Sequence, residues 1–268
     1  MNKLKVIFLG TPNYLDPIIN SLNINFDLIK VIRKTSDLNN EIIDQLNNFK
    51  PDLIVVASFG KIIPQEILEI PRLGAINIHP SKLPKYRGPS PIQSQILDGV
   101  TDSAISFILM DNKMDHGPLI FQEPYEINPE DTFESLLNKM FQRSADILPT
   151  LINSLNDGKI TPIDQNESEV TFCNEIKKED GYFDIENPPA PEKLDKMIRA
   201  FHPWPGTWTK WNNKIVKILP VVIPAKAGIQ ELSLNEKYLF QMEGKKAVSS
   251  KDFLNGYPDF PLNKLLAA

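Results

Sequence analysis

The chain has 268 residues, of which 41% are apolar and 24% are charged, and this composition excludes a disordered or fibrous protein. Acidic residues outnumber basic residues by 34 to 29, which excludes a uniformly basic nucleic-acid-binding protein. A single cysteine, Cys173, excludes an internal disulfide framework, and no apolar run is long enough to cross a membrane. We expect a cytoplasmic, globular, monomeric protein without membrane contacts.

Short apolar segments alternate with amphipathic helical patterns through the first half of the chain. Strands rich in β-branched residues are predicted at 5–9, 28–31, 53–57, 75–78 and 104–109, with a further strand beginning at 119. Helices are predicted at 16–22, 37–49 and 92–97, and Asp131–Thr132 caps a long helix that ends at Gly158. This alternation predicts an α/β fold with a doubly wound, mostly parallel sheet.

The second half of the chain differs in character. A polar, proline-rich stretch follows residue 160, with a short strand predicted at 170–172 and a helix at 194–200. Beyond it, strands are predicted at 207–211, 215–223 and 238–242, followed by a helix near 250–254. We therefore predict a catalytic domain at 1–160, a linker at 161–205 and a small β domain at 206–268.

Charge is divided unequally between these parts. The small domain holds nine lysines and five acidic residues, a net charge of +4, which leaves 20 basic and 29 acidic residues for positions 1–205. A lysine-rich unit of this kind can bind RNA phosphates. Lysines also keep the edges of a small sheet soluble, and spacing alone leaves both interpretations open.

Several familiar chemistries are excluded by their missing motifs. The loop after the first strand reads GTPNYLDP, with one glycine where a dinucleotide-binding or P-loop motif needs two or three. The chain contains no G-x-S-x-G elbow, no H-E-x-x-H and no His or carboxylate cluster at metal-ligand spacing. We expect neither NAD nor ATP as cofactor, and no metal.

The strongest chemical signal is an Asn-x-His pair at the end of a predicted strand. Asn77 and His79 lie two residues apart, so their side chains point to the same side of the sheet. An amide that donates to an oxyanion, beside an imidazole that exchanges protons, suits acyl transfer. Asp115 is the leading carboxylate to orient the imidazole, and Asp111 in the same loop stays an alternative. Such pairs also occur in purely structural roles.

Six segments of the chain resemble the 10-formyltetrahydrofolate-dependent formyltransferases. They are FLGTP at 8–12, SFGKIIP at 58–64, IPRLGAINIHPSKLPKYRGPSPIQ at 70–93, MDHGPLI at 114–120, IRAFHPWPGTW at 198–208 and EGKKAVSSKDFLNG at 243–256. The resemblance therefore touches nearly the full chain, and the segment at 70–93 is highly specific.

The resemblance implies a Rossmann-like catalytic domain followed by a shortened, β-barrel-like domain related to the OB fold. It implies catalytic roles for Asn77, His79 and Asp115, with 10-formyltetrahydrofolate as the formyl donor. It also implies a set of folate-contacting residues: Ser81, Lys82, Leu83, Pro84, Phe59, Gly60, Ile62 and Ile63.

The resemblance also bears on the acceptor of the formyl group. The members that the chain resembles most formylate the α-amine of methionyl-tRNA, so initiator methionyl-tRNA is the expected partner. The long basic loop of those members is missing after the second strand, and 223–230 replaces part of the small domain without a pattern that we can interpret. An amino-sugar nucleotide is therefore the alternative acceptor, and formyltetrahydrofolate hydrolysis or a non-catalytic remnant are further alternatives.

Overall fold

The computed structural model describes residues 3–11, 13–221 and 236–266. The segment 223–230, and with it the end of the strand predicted at 215–223, lies outside the described residues. Within them, no helix is long and apolar enough to span a bilayer. The contacts divide the chain into two compact units. Unit 1 comprises Met1–Pro91, Thr101–Ile127 and Leu137–Glu175, and unit 2 comprises Ile92–Val100, Asn128–Leu136 and Ile176–Ala268.

Unit 1 is built on a six-stranded sheet with the strand order β2-β1-β3-β4-β5-β6. The strands are β1 Lys5–Leu9, β2 Asp27–Ile32, β3 Leu53–Val56, β4 Ala75–His79, β5 Asp102–Leu109 and β6 Leu119–Glu126. The first four pair in parallel, whereas β5 is antiparallel to β4 and to β6. The predicted α/β fold with a mostly parallel sheet is confirmed.

Five helices follow or connect these strands. They are α1 Asp16–Asn25, α2 Asn40–Phe49, α3 Gln65–Leu68, α4 Pro91–Asp98 and α5 Phe133–Asn156. The predicted cap of α5 is confirmed, since Thr132 Oγ1 accepts a hydrogen bond from the Ser135 amide at 3.2 Å. Helix α2 begins later than predicted because Asn39, whose side chain accepts from the Ile42 amide at 3.0 Å, caps it instead of a residue near Asp37.

The chain reverses its direction of winding between β1 and β3, which leaves a crevice at their carboxyl ends. Gly10 follows β1 at this point. A Cβ on Gly10 would lie 2.7 Å from the carbonyl oxygen of Ala57 and 2.5 Å from Leu15 Cδ1. The single glycine of this loop is therefore required by close packing, and the loop offers no second glycine for a phosphate.

Unit 2 contains a four-stranded antiparallel sheet with the order β10-β9-β8-β7. Its elements are α6 Pro191–Phe201, β7 Thr207–Trp211, β8 Lys214–Pro220, β9 Tyr238–Met242, β10 Val248–Ser249, α7 Ser250–Gly256 and α8 Leu262–Leu266. The core of this unit combines aromatic residues of the sheet with Leu194 and Ile198 of α6. The small β unit is thus confirmed, and it shares its core with the helix predicted inside the linker.

The strand predicted at 170–172 is wrong. Residues Glu167–Glu169 form a short 3-10 helix, and beyond it Phe172 makes only an isolated parallel bridge to Arg87. Main-chain groups of this stretch hydrogen-bond to the loop after β4 instead of joining a sheet: the Arg87 amide donates to the Thr171 carbonyl at 2.9 Å, and the Cys173 amide donates to the Arg87 carbonyl at 2.8 Å.

Candidate active site

The carboxyl end of β4 carries the predicted Asn-x-His pair. Asn77 and His79 are separated by one residue and project from the same side of the sheet, as expected from strand geometry. His79 is 4% exposed and Asn77 is half-buried. The strand presents one imidazole and one amide side by side in a largely desolvated position.

Asp115 joins this pair from the loop between β5 and β6. Its Oδ1 accepts a hydrogen bond from Asn77 Nδ2 at 3.1 Å and lies 3.6 Å from His79 Nδ1. Its Oδ2 accepts a hydrogen bond from the main-chain amide of Gly88 at 2.8 Å. The three residues that sequence reasoning selected are therefore brought together, and a fourth residue, Gly88, holds the carboxylate from the opposite side.

The hydrogen bond of the second ring nitrogen defines the tautomer of His79. Nε2 lies 2.9 Å from the main-chain carbonyl oxygen of Tyr86. A carbonyl oxygen only accepts, so Nε2 must carry a proton and donate it. In the neutral ring Nδ1 is then unprotonated, and Nδ1 is the atom that can gain or lose a proton beside Asp115.

Asp111, the alternative carboxylate, takes a different partner. Its Oδ2 contacts His116 Nδ1 at 2.5 Å, and its Oδ1 accepts from the Lys113 amide at 2.9 Å. Asp111 therefore orders the loop and pairs with the neighbouring histidine, whereas Asp115 is the carboxylate that faces His79. Spacing in the sequence could not separate these two aspartates.

Two residues of the site have left-handed backbones that non-glycine residues seldom adopt. Tyr86 has φ +61° and Asp115 has φ +49°. Both take part in the contacts above, one through its carbonyl and the other through its carboxylate. Such strain of about 1–3 kcal/mol per residue is maintained only where the surrounding structure holds it, which is a common property of functional sites.

A buried arginine and a glutamine support the backbone of Asp115, and sequence reasoning missed both. Gln165 Nε2 donates to the carbonyl oxygens of Asp115 and Gly117, at 2.9 and 2.8 Å. Gln165 Oε1 accepts from Arg87 Nε at 3.1 Å and from Nη2 at 2.8 Å. In the sequence, only the position of Arg87 next to Gly88 could have pointed to this support. Gln165 lies in a polar stretch without hydrophobic periodicity.

Gly88 allows the loop after β4 to approach the segment that carries Cys173. Its φ is +125°, and a Cβ there would collide with the carbonyl oxygen of Cys173 and lie 3.1 Å from its Sγ. Only glycine fits both the conformation and the space. This close approach places the Gly88 amide within hydrogen-bonding distance of Asp115.

The predicted folate residues lie at the carboxyl ends of two adjacent parallel strands, 59–63 after β3 and 81–84 after β4. In the second segment Ser81 and Leu83 are buried, and both are fixed by Ser106, which donates to the Ser81 carbonyl at 2.6 Å and accepts from the Leu83 amide at 3.2 Å. Lys82 is exposed and forms an ion pair with Asp102 at 2.6 Å.

In the first segment the side chains divide between core and solvent. Phe59 and Ile63 belong to the apolar core, at 3% and 2% exposure, whereas Ile62 is 68% exposed. Gly60 has φ +71° and open space where a side chain would be. Of the four predicted folate residues in this segment, Ile62 and the main chain at Gly60 are thus the ones that a ligand can reach directly.

The chemistry of this arrangement is that of hydrogen-bond donors aimed at a developing negative charge. One amide, one imidazole and one carboxylate can stabilise an oxyanion and move a proton. Across the described residues, no group of three or more His, Cys, Asp or Glu side chains is arranged to hold a metal ion.

Both halves of the chain match a known protein family. Residues 5–152 match the family described as Formyl transferase, and residues 175–233 match Formyl transferase, C-terminal domain. The methionyl-tRNA formyltransferase of Rickettsia massiliae (strain Mtu5) is 31% identical, and the match covers 94% of this chain and 97% of that relative.

Two solved structures share the fold. The methionyl-tRNA formyltransferase from Clostridium thermocellum matches with a TM-score of 0.69 at 20% identity, over 92% of this chain and 100% of that one. A sugar N-formyltransferase from a Shewanella species matches with a TM-score of 0.66 at 18% identity, over 83% of this chain and 99% of that one. Together with the matched segments in both halves of the sequence, these findings mean that the chain belongs to the formyl transferase family and is an enzyme of that class.

Proposed function

We propose that this formyltransferase moves the formyl group of 10-formyltetrahydrofolate to the α-amine of initiator methionyl-tRNA. The observation that carries the proposal is the meeting of three groups at the end of β4, where Asp115 Oδ1 lies 3.1 Å from Asn77 Nδ2 and 3.6 Å from His79 Nδ1. Donors grouped around a single position match the charge of a tetrahedral oxyanion, which forms when an amine attacks a formyl carbon.

The proposed reaction is a direct transfer. The neutral α-amine forms a C–N bond to the formyl carbon, and the carbonyl electrons move onto oxygen. Asn77 donates to that oxygen, as does His79 through Nδ1 when the ring is protonated. Collapse of the intermediate breaks the bond to N10 of the folate, which takes up a proton, while Asp115 removes the proton that the amine loses. Atoms and charge balance without a metal or a redox partner.

The formyl donor, 10-formyltetrahydrofolate, would be held where the loops after β3 and β4 run side by side. Ser81 to Pro84 supply a rigid main chain, because Leu83 is anchored both by Ser106 and by Gln122, which donates to the Leu83 carbonyl at 3.0 Å. Ile62 offers exposed apolar area on the neighbouring loop. We infer that the pterin ring contacts these two segments mainly through their main chains and Ile62.

The acceptor is argued from the sequence relationship and from charge. Fold likeness alone does not distinguish methionyl-tRNA from a sugar acceptor, since both kinds of solved structure match with similar scores. The relative from Rickettsia, however, aligns over nearly its full length. Lys210, Lys214 and Lys217 are exposed on the β7–β8 hairpin and could meet tRNA phosphates.

The decisive experiment is a comparison of acceptors. The full chain is incubated with 10-formyltetrahydrofolate and either initiator methionyl-tRNA, an amino-sugar nucleotide or no acceptor, and loss of the formyl donor is followed. We expect consumption of the donor with methionyl-tRNA, accompanied by formylmethionyl-tRNA. Formylation of the sugar nucleotide but not of the tRNA would overturn the proposed acceptor. Equal consumption without any acceptor would indicate a hydrolase instead.

A further inference from the structure

We propose that Gln165 is a positioning residue of this enzyme, which holds Asp115 in its reactive place and is itself oriented by Arg87. The inference rests on the proposed function, since it concerns the carboxylate of that reaction. Gln165 is 8% exposed and Arg87 is 2% exposed. The hydrogen bonds of Gln165 go to Arg87 and to the main chain of Asp115 and Gly117, so we argue that it acts through Asp115.

The amide of Gln165 uses its full hydrogen-bonding capacity in this network. Its Nε2 carries two hydrogens, and these meet the carbonyl oxygens of Asp115 and Gly117 at 2.9 and 2.8 Å. Its Oε1 accepts twice from the guanidinium of Arg87, at 3.1 and 2.8 Å. The opposite orientation of the amide would set oxygen against carbonyl oxygens and nitrogen against the guanidinium, so Arg87 determines which end faces Asp115.

Asp115 needs this support because of its backbone conformation. Its φ of +49° is unfavourable for a residue with a side chain, and relaxation toward an ordinary conformation would rotate the carboxylate away from Asn77 and His79. The two hydrogen bonds from Gln165 attach the main chain at Asp115 and at Gly117, on both sides of the intervening residue. They therefore oppose that rotation directly.

Arg87 links this support to the opposite side of the site. Its guanidinium is neutralised by Glu167, whose carboxylate oxygens lie 2.7 and 3.3 Å away, and this hydrogen bonding lowers the pKa of the Glu167 carboxyl. The residues on either side of Arg87 are Tyr86, which accepts from His79, and Gly88, which donates to Asp115. One buried side chain thus holds together both halves of the catalytic arrangement.

The test compares Gln165→Leu and Gln165→Glu with the unchanged enzyme. Leu removes all four hydrogen bonds, and Glu keeps an acceptor for Arg87 but has no hydrogens for the two carbonyls. Because an error of about 1 Å in placing a catalytic group can cost about a hundredfold, we expect kcat to fall tenfold to a hundredfold in both variants. The KM values for donor and acceptor should stay within about threefold, since neither substrate is contacted.

A double-mutant cycle distinguishes positioning from general destabilisation. In an Asp115→Ala background there is no carboxylate to position, so Gln165→Leu should reduce kcat less than twofold further. Full, additive loss in that background would overturn the inference, as would an unchanged kcat in both single variants. Asn166→Ala is the matched control, because it alters the adjacent residue, removes a cap contact to Ser168 and should leave kcat unchanged.

The proposed function and this inference fail in different ways. If the unchanged enzyme does not formylate methionyl-tRNA, the proposed acceptor is wrong, and the same variants are then measured with the acceptor that is used. If Gln165→Leu fails to fold, Gln165→Glu decides, since it retains the contact to Arg87. A folded Gln165→Glu variant with normal kcat would overturn the inference whatever the acceptor is.

Discussion

Asn77 donates a hydrogen bond to Asp115 at 3.1 Å. A side-chain amide nitrogen carries two hydrogens, so this bond also fixes the direction of the second, which under the proposed function donates to the oxygen of the reacting formyl group. The aspartate thus orients both members of the pair on β4, the amide by a hydrogen bond and the imidazole by proximity.

Substitution of Asn77 by alanine should therefore damage the chemical step and little else. Removing one preorganised oxyanion donor typically costs about a hundredfold to a thousandfold in kcat. We expect a loss of this size, with an unchanged melting temperature, in steady-state assays of the purified variant. Asn25→Ala is a suitable control, because Asn25 is exposed and its side chain donates to the Ser21 carbonyl of the same helix. Normal turnover by a folded Asn77→Ala variant would refute its catalytic role.

The two ring nitrogens of His79 can be tested separately by substituting the residue with asparagine or with glutamine. In His79→Asn the amide stands near the former Nδ1, whereas in His79→Gln it reaches toward the Tyr86 carbonyl in place of Nε2. Since Nδ1 is the nitrogen beside Asp115, we expect both variants to be slowed by about a hundredfold or more, with Asn retaining roughly tenfold more activity than Gln. Single-turnover rates measure this ratio, and a ratio in the opposite direction would assign the chemistry to Nε2.

Gly88→Ala should disturb the site through the backbone. An added Cβ would collide with the Cys173 carbonyl, and the φ of +125° is unfavourable for alanine. We expect a loss of about 1–3 kcal/mol in unfolding free energy. We also expect at least a tenfold loss of kcat, because the hydrogen bond from the Gly88 amide to Asp115 would be displaced. Gly158→Ala is the control: it also has a positive φ, of +68°, but nothing lies within 4 Å of its Cβ. It should lose stability while keeping its kcat.

His202 should make stability depend on pH in a defined direction. Burial lowers the pKa of its imidazole from the ordinary 6.5, although Glu134 partly opposes this. Its Nδ1 is buried and has no hydrogen-bond partner within the described part of the chain. Below pH 6.5 the unfolded chain takes up a proton that the folded protein binds less well, so the free energy of unfolding decreases as pH falls. Urea unfolding at pH 7.5 and 5.5 should show a smaller decrease for His202→Gln. An equal decrease in both proteins would contradict this prediction.

The sequence predicts the sheet well because its strands are short, apolar and β-branched. That Asn77 and His79 lie on the same side of the sheet was equally predictable, since alternation along a strand is a local property. The place of Asp115 was harder to predict, because β5 runs antiparallel to β4 and the end of β5 lies beside Ile76. The following loop must turn back toward His79, with Gly117 packed against the Leu109 carbonyl. That turn could not be read from spacing, so Asp111 stayed open.

The support behind the site was not predictable from local patterns. Arg87 and Gln165 are 78 positions apart, and no periodicity relates them. Residues 161–175 are polar and irregular, which led us to interpret them as linker and to place a strand at 170–172. Gln165 of this stretch hydrogen-bonds to the main chain at Asp115 and Gly117, and Thr171 and Cys173 hydrogen-bond to the main chain at Arg87. A segment with few apolar residues thus stabilises other backbone segments without joining a sheet.

The loop after β4 contacts His79 and Asp115 through its main chain, with the Tyr86 carbonyl accepting from His79 and the Gly88 amide donating to Asp115. A carbonyl and an amide are the same in every residue except proline, so the identity of the side chain at Tyr86 is not what sets the tautomer of His79. Substitutions at such a position are tolerated as long as the backbone keeps the same path. Mutational scanning of this enzyme should therefore find few tolerated substitutions at Gly88 and Gln165, which maintain the path of the loop. It should find many more at Tyr86, although Tyr86 is the residue that contacts His79.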